Sequence, residues 1–167
     1  VVPVLFTCFL QTGSWEGLKF VIPTSVAVGL LAANVLIVNN YRDMEDDAAV
    51  NKRTTVVIFG RKTMGRVYLW SGIIAMLLML PLWDYLSCWA LVAPILYIVL
   101  HINTWRQLKR SLGAQLNPLL GKTAINLLVF AVMLLFACIL DMQDPVCADY
   151  SFYNFSSVVN PLCIPIE

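Results

Sequence analysis

From Phe20 to Val38 the chain runs nineteen residues without a charge, and the seventeen that follow, Asn39 to Thr55, carry four carboxylates and three cations. The apolar run has the length of a helix that crosses the hydrocarbon of a bilayer. Asp43, Glu45, Asp46 and Asp47, four carboxylates within five residues, have no place in lipid. The acidic cluster is therefore expected at a membrane–water boundary, on the end of a spanning helix.

Composition supports a polytopic membrane protein. The 167 residues are 60% hydrophobic and 13% charged, against the roughly 45–50% apolar content of soluble domains. Further apolar runs extend from Val67 to Trp83, Tyr85 to Trp105 and Thr123 to Leu140. The expected fold is an all-α membrane bundle with helices over about 20–41, 65–83, 85–105 and 122–140. Val1 to Leu10 is apolar but too short to span, and reads as the end of a fifth helix. The chain is thus expected to be a fragment or processed product with four complete crossings and part of a fifth. A net charge of +1 gives no argument for nucleic acid as partner.

Ten of the eleven cations fall in two alternate connections: Arg42, Lys52, Arg53, Arg61, Lys62 and Arg66 in 41–66, and Arg106, Lys109, Arg110 and Lys122 in 103–122. The positive-inside rule then puts the acidic cluster on the cytoplasmic side and residues 141–167 outside. Cys8, Cys88 and Cys138 lie in or beside apolar helices and read as small buried hydrophobes. Cys147 and Cys163 lie in the tail, where an oxidising compartment permits a disulfide but the spacing does not demand one.

If the helix continues two or three turns past Val38, Asn40, Asp43 and Asp47 fall at i, i+3 and i+7, and Asn39 and Asp43 at i and i+4. Carboxylates one turn apart repel each other, and a divalent cation relieves the repulsion. Mg²⁺ needs only one or two carboxylates, completing its octahedron with waters and phosphate oxygens. Lys52 and Arg53 follow closely enough to fold back, and cations beside such a pair suit a polyanion such as a diphosphate. The bland alternative is a solvated cluster that only fixes topology.

The segment Asn39-Asn40-Tyr41-Arg42-Asp43, with Asp47 and then Asn51-Lys52-Arg53-Thr54, resembles the second aspartate-rich motif, N-N-x-R-D-x-x-x-D followed by G-K-R-T, of the UbiA-type intramembrane prenyltransferases. It is most similar to the branch that prenylates 1,4-dihydroxy-2-naphthoate in menaquinone synthesis. Gln11-Thr12-Gly13, Gly60 and the stretch Leu116 to Ala124 resemble other parts of the same family, so the likeness covers about residues 1–140, as the C-terminal half of a nine-helix bundle. Residues 141–167 match nothing in it and form a tail of unknown role.

The resemblance implies that Asp43 and Asp47 bind Mg²⁺ and through it a polyprenyl diphosphate. Arg42, Lys52 and Arg53 neutralise the diphosphate, and Asn39 and Asn40 orient the carboxylates. It also implies an aromatic acceptor, an active site facing the cytoplasm in a bacterial inner membrane, and a first aspartate motif on an N-terminal half that this sequence lacks. As given, the chain is expected to be inactive. Asn51 stands where the family has Gly, in a turn whose left-handed geometry Asn tolerates. Glu45 and Asp46 are expected to be merely solvated.

Two rivals deserve mention. A cation transporter could use the acidic cluster, although transport sites typically lie near the bilayer midplane. The CDP-alcohol phosphotransferases also space aspartates, but their D-G…A-R pattern is absent. Among the remaining residues, His101 is expected at the membrane interface, and Trp70, Trp83, Trp89, Trp105, Tyr68 and Tyr85 in aromatic belts. Gly29, Ala32 and Ala33 suggest close helix packing, and Pro23, Pro81 and Pro94 suggest kinks. Asn126 needs an interhelical partner.

Overall fold

The computed structural model describes residues 1–13, 18–80 and 92–141. The described residues are helical and contain no strand. In chain order they form α1 (Val2–Thr12), α2 (Leu18–Arg42), α3 (Met44–Ala49), α4 (Thr55–Leu78), α5 (Val92–Leu108), a 3₁₀ turn (Gly113–Leu116) and α6 (Asn117–Asp141). The start expected for a helix at 85, Glu16, Pro81, Trp83, Tyr85, Trp89, Cys88, the Cys147/Cys163 pair and the tail lie outside the described residues.

Helix α1 ends at Gly13, which takes a left-handed conformation (φ 65°) and returns its N–H to the Phe9 carbonyl at 2.8 Å, the αL stop that glycine allows without a Cβ penalty. Helices α2, α4, α5 and α6 close a ring in which α2 packs on α4 and α6, and α5 on the same two. The buried face of α2 carries Ala27, Leu31, Asn34, Val38 and Tyr41, spaced three and four apart as one helix face requires. Gly29, Ala32 and Ala33 are exposed on the other side, so the expected small-residue packing face is not used. Close approach occurs instead at Gly65 and Gly72 of α4.

Among the described residues two helical stretches, Val21–Arg42 and Gly113–Phe136, are long and apolar enough to cross a membrane, and only 33% and 22% of their most apolar parts is buried. Ile125, Leu128, Val132, Leu135 and Phe136 of α6 point outward, as do Trp70, Ile74 and Leu77 of α4 and Ile95 and Val99 of α5. An apolar surface so extensive is unfavourable in water and ordinary against lipid.

Helix α4 begins ten residues before the expected position 65. Thr54 is extended at its start, and the helix kinks at Gly60 (φ 77°, ψ 156°), a backbone conformation that only glycine adopts freely. Arg61, Lys62 and Arg66 therefore stand on a helix that continues beyond its apolar part and not on a loop. Pro118 falls in the first turn of α6, where its missing N–H costs no helical bond.

His101 is not at an interface. It is 1% exposed and stacks between Tyr68 (ring centroids 4.6 Å apart) and Tyr97 (5.4 Å). Its Nε2 lies 3.0 Å from the Tyr68 carbonyl and its Nδ1 3.3 Å from the Tyr97 hydroxyl. A carbonyl only accepts, so Nε2 carries the hydrogen and Nδ1 accepts from Tyr97. The ring fits because residue 72 is glycine: a Cβ there would sit 2.3 Å from Nε2. Tyr68 is likewise buried and belongs to no aromatic belt. Nearby, the Ser71 hydroxyl lies within bonding reach of Asn34 Oδ1 (2.6 Å) and the Tyr68 carbonyl (2.8 Å). The Asn126 amide donates to Thr104 Oγ1 at 2.8 Å, supplying the interhelical partner that a polar group in an apolar bundle needs.

Candidate functional site

The acidic cluster occupies the end of α2, the whole of α3 and the turn that follows. Helix α2 does not continue unbroken for the expected two or three turns. It ends at Arg42, and Asp43 (φ −90°, ψ 7°) forms the joint to α3. The hydrogen-bond ladder survives the joint, since Asp43 N–H donates to the Asn39 carbonyl (3.1 Å) and Asp47 N–H to the Asp43 carbonyl (2.8 Å). Asp43 and Asp47 thus stay one turn apart on nearly continuous helix.

Around Asp43 the groups are tightly tied. Arg42 grips both carboxylate oxygens, Nε to Oδ1 at 2.6 Å and Nη2 to Oδ2 at 2.9 Å, a fork of the kind arginine offers to carboxylates and phosphates. Arg42 Nη2 also donates to Asn39 Oδ1 at 3.1 Å, and Asn39 Nδ2 to Asp43 Oδ2 at 3.3 Å. Arg42 Nη1 reaches Asn117 Oδ1 at the start of α6, 3.4 Å away. The hydrogen bonds from Arg42 hold the Asp43 carboxyl below its ordinary pKa, with smaller help from the charges of Arg42 and Lys52 against some desolvation. Asn40 turns away, its amide donating to Thr55 Oγ1 at 3.4 Å, so it steadies the start of α4 and does not touch Asp43.

Asp47 is only 6% exposed. Its Oδ1 accepts from Lys52 Nζ at 2.9 Å, while Oδ2 is buried without a hydrogen-bond partner among the described residues. The same bond to Asp47 raises the pKa of Lys52. The backbone brings the two together. Asn51 adopts φ 55°, its N–H donates to the Ala48 carbonyl (3.1 Å), and Lys52 N–H donates to the Asp47 carbonyl (2.8 Å). These two bonds around a left-handed residue form a Schellman motif, which ends α3 and turns Lys52 back over the carboxylate. Asn does here what Gly does most easily.

Arg53 is exposed and makes no ion pair among the described residues. Glu45 pairs loosely with Arg61 (3.3 Å) while 80% exposed, and Asp46 is exposed; solvation suits Asp46, but Glu45 has a partner that its spacing did not indicate. Tyr41 was also missed: its hydroxyl donates to the Arg61 carbonyl and pins α2 to α4 just beyond the kink. The signal available was its place inside the motif, between Asn40 and Arg42.

The arrangement offers oxygen donors from Asp43, Asp47 and Asn39, with Arg42 and Lys52 already at hand as counter-charges. No group of three or more His, Cys, Asp or Glu side chains assembles among the described residues, so a metal site built wholly from such ligands is not present there. The UbiA prenyltransferase family profile matches residues 1–120, which include every residue of this cluster. No curated protein and no solved structure matches the chain.

Proposed function

This chain belongs to the UbiA prenyltransferase family, and on that premise we propose that it takes part in transferring a polyprenyl group from its diphosphate to 1,4-dihydroxy-2-naphthoate, in menaquinone synthesis. Prenyl transfer and an integral membrane setting follow from the family and from the outward apolar helices. The acceptor, the metal, the four crossings and the cytoplasmic orientation are our reading of the motif and the cation distribution.

The observation that carries the site assignment is Asp47, a buried carboxylate with one oxygen on an exposed lysine and the other on nothing among the described residues. Leaving a carboxylate oxygen buried and unpaired is costly, and a hard cation removes that cost. The donor set fits Mg²⁺, which takes one or two carboxylates and leaves the rest of its shell to water and phosphate oxygens. Asp43 and Asp47 would hold it, with Asn39 beside them; when bound, it supplies positive charge to the leaving diphosphate.

The chain's own residues do the rest. In this reading Lys52, which already bonds Asp47, and Arg53, which follows it, neutralise diphosphate oxygens, and the Arg42 fork, now on Asp43, has a geometry a phosphate also accepts. In the reaction the allylic C–O bond breaks, the diphosphate leaves with the electron pair, and the ring carbon forms the new C–C bond as the carboxylate departs as CO₂. Cations fixed beside the leaving group stabilise the charge that develops on it, and apolar helix walls keep water from the allylic cation.

The test is an assay in membranes of the chain co-expressed with an N-terminal half that carries a first aspartate motif, using radiolabelled polyprenyl diphosphate and a panel of aromatic acceptors, with Mg²⁺ and with chelator. Label on the naphthoate, lost with chelator, is the expected result. Transfer to a different acceptor alone would overturn the naphthoate assignment, and metal uptake into vesicles without prenyl diphosphate would favour a transporter.

A further inference from the structure

A second cationic feature borders the aspartate cluster. Between α4 and α5 is a cavity of about 200 Å³. Arg61, Lys62, Arg66 and Lys109 line it, and Tyr41 and Trp105 contribute to its walls. No acid lines it. The nearest described carboxylate partner of these cations is Glu45, which meets Arg61 at 3.3 Å and is itself 80% exposed.

The cavity is held open by specific contacts. Trp105 Nε1 donates to the Gly65 carbonyl at 2.8 Å, fixing the indole against α4, and Lys109 Nζ stands 4.5 Å over the same indole. A Cβ at Gly65 would lie 3.0 Å from the Tyr41 hydroxyl, so the approach of α2 and α4 at this point depends on glycine. Arg61 Nε is buried with no hydrogen-bond partner among the described residues, a donor left unused at the wall of a positively charged cavity.

Its position limits the ligand. The cavity opens at the same end of the bundle as the aspartate motif, where the cationic turns of α4 and α5 meet their apolar stretches. Outward apolar side chains, Trp70 and Ile74 of α4 and Val99 of α5, lie on the outer faces of the two helices that form it. Basic pockets between membrane helices at this depth recognise phosphate headgroups, and a tryptophan with its N–H tied inward is suited to the headgroup boundary.

We propose that this cavity is a binding site for the phosphate of an acidic phospholipid, held by Arg61, Arg66 and Lys109 with its acyl chains over the outward apolar surface of α4 and α5. The chemistry shared with a soluble diphosphate is the phosphate oxyanion; what the outward apolar surface adds is a place for hydrocarbon. The site shares Tyr41 with the motif segment, but none of its residues is one of the motif's carboxylates or Lys52.

Native mass spectrometry on the detergent-solubilised protein, titrated with dioleoyl phosphatidylglycerol or with dioleoyl phosphatidylcholine, tests it. One phosphatidylglycerol should be retained at least tenfold more tightly than phosphatidylcholine. The R66Q/K109Q variant should lose most of that preference, about fivefold for each cation removed, while D43N keeps it. Sodium pyrophosphate should compete only weakly. Equal retention of the two lipids, or a preference that survives R66Q/K109Q, would overturn the site. Pyrophosphate displacing the lipid at micromolar concentration would overturn the lipid assignment in favour of a soluble diphosphate. D43N abolishing the preference would mean that the lipid reports on the aspartate cluster instead.

Discussion

The interior of the bundle and its charged end both bury polar side chains, and they satisfy them differently. In the interior His101 has both ring nitrogens engaged by neighbouring residues, and Asn126 bonds across to Thr104. The groups left unpartnered there, Asn34 Nδ2 and Tyr68 OH, are neutral. At the charged end Asp47 is nearly as buried, yet one oxygen relies on a lysine whose side chain is 63% exposed and the other has no partner. Bonds between helices fix a structure; a buried carboxylate facing an exposed cation can exchange that cation for a ligand. On this account the interior network determines stability and the charged end determines chemistry.

Substitutions in the two regions should therefore separate. Asp47→Asn or Asp43→Asn is expected to lower prenyl transfer by about 10²–10³-fold, the scale of losing a fixed electrostatic contact to a developing charge, with the melting temperature changed little. The assay with radiolabelled diphosphate and a thermal melt measure both. Substantial transfer at saturating Mg²⁺ by either variant would erase the distinction.

Gly72→Ala should do the opposite, destabilising by about 1–3 kcal/mol through overpacking, because the new methyl meets the His101 ring. Adding His101→Ala should make the double variant cost less than the two single losses summed, since the methyl then fills space the ring vacates. Strict additivity in denaturant titrations would show that the close approach is not what matters.

A smaller effect is expected from Lys52→Gln. Losing one charged hydrogen bond to the diphosphate should raise its KM about tenfold, with stability held, because the lysine is exposed. Smallest of all should be the pH response of the Arg42–Asp43 pair. The Asp43 carboxyl titrates below its ordinary 3.8, so the pair's contribution is complete above that value and is lost as pH falls through the depressed one. Thermal stability should be flat with respect to this pair from about pH 7 to 5, and fall more steeply below about pH 4 in the parent than in Asp43→Asn.

Much of the charged end was legible in the sequence because motif spacing and chain chemistry act locally. Asn39 meets Asp43 as i and i+4 neighbours must, and Asn51 takes the left-handed turn that places Lys52 on Asp47. What was hidden depends on faces. In a membrane bundle lipid and interior are both apolar, so the small residues Gly29, Ala32 and Ala33 looked like a packing face although they point outward, while Gly72 gave no sign that it makes room for a histidine. Charge was misread as loop at Arg61 to Arg66, because a helix can continue past the hydrocarbon into water once Gly60 has turned it. Asn34 carried the same signal as Asn126, a polar residue inside an apolar run, and its partner Ser71 lies 37 residues away, beyond what spacing can reveal.

The central claim is that Asp43 and Asp47 hold a metal-bridged diphosphate. Isothermal titration of the purified protein with pyrophosphate, with and without Mg²⁺, in the parent and in Asp47→Asn addresses it directly. The account predicts saturable binding that requires Mg²⁺ and is lost in Asp47→Asn. Binding that is equally tight without Mg²⁺ and unchanged in Asp47→Asn would contradict it.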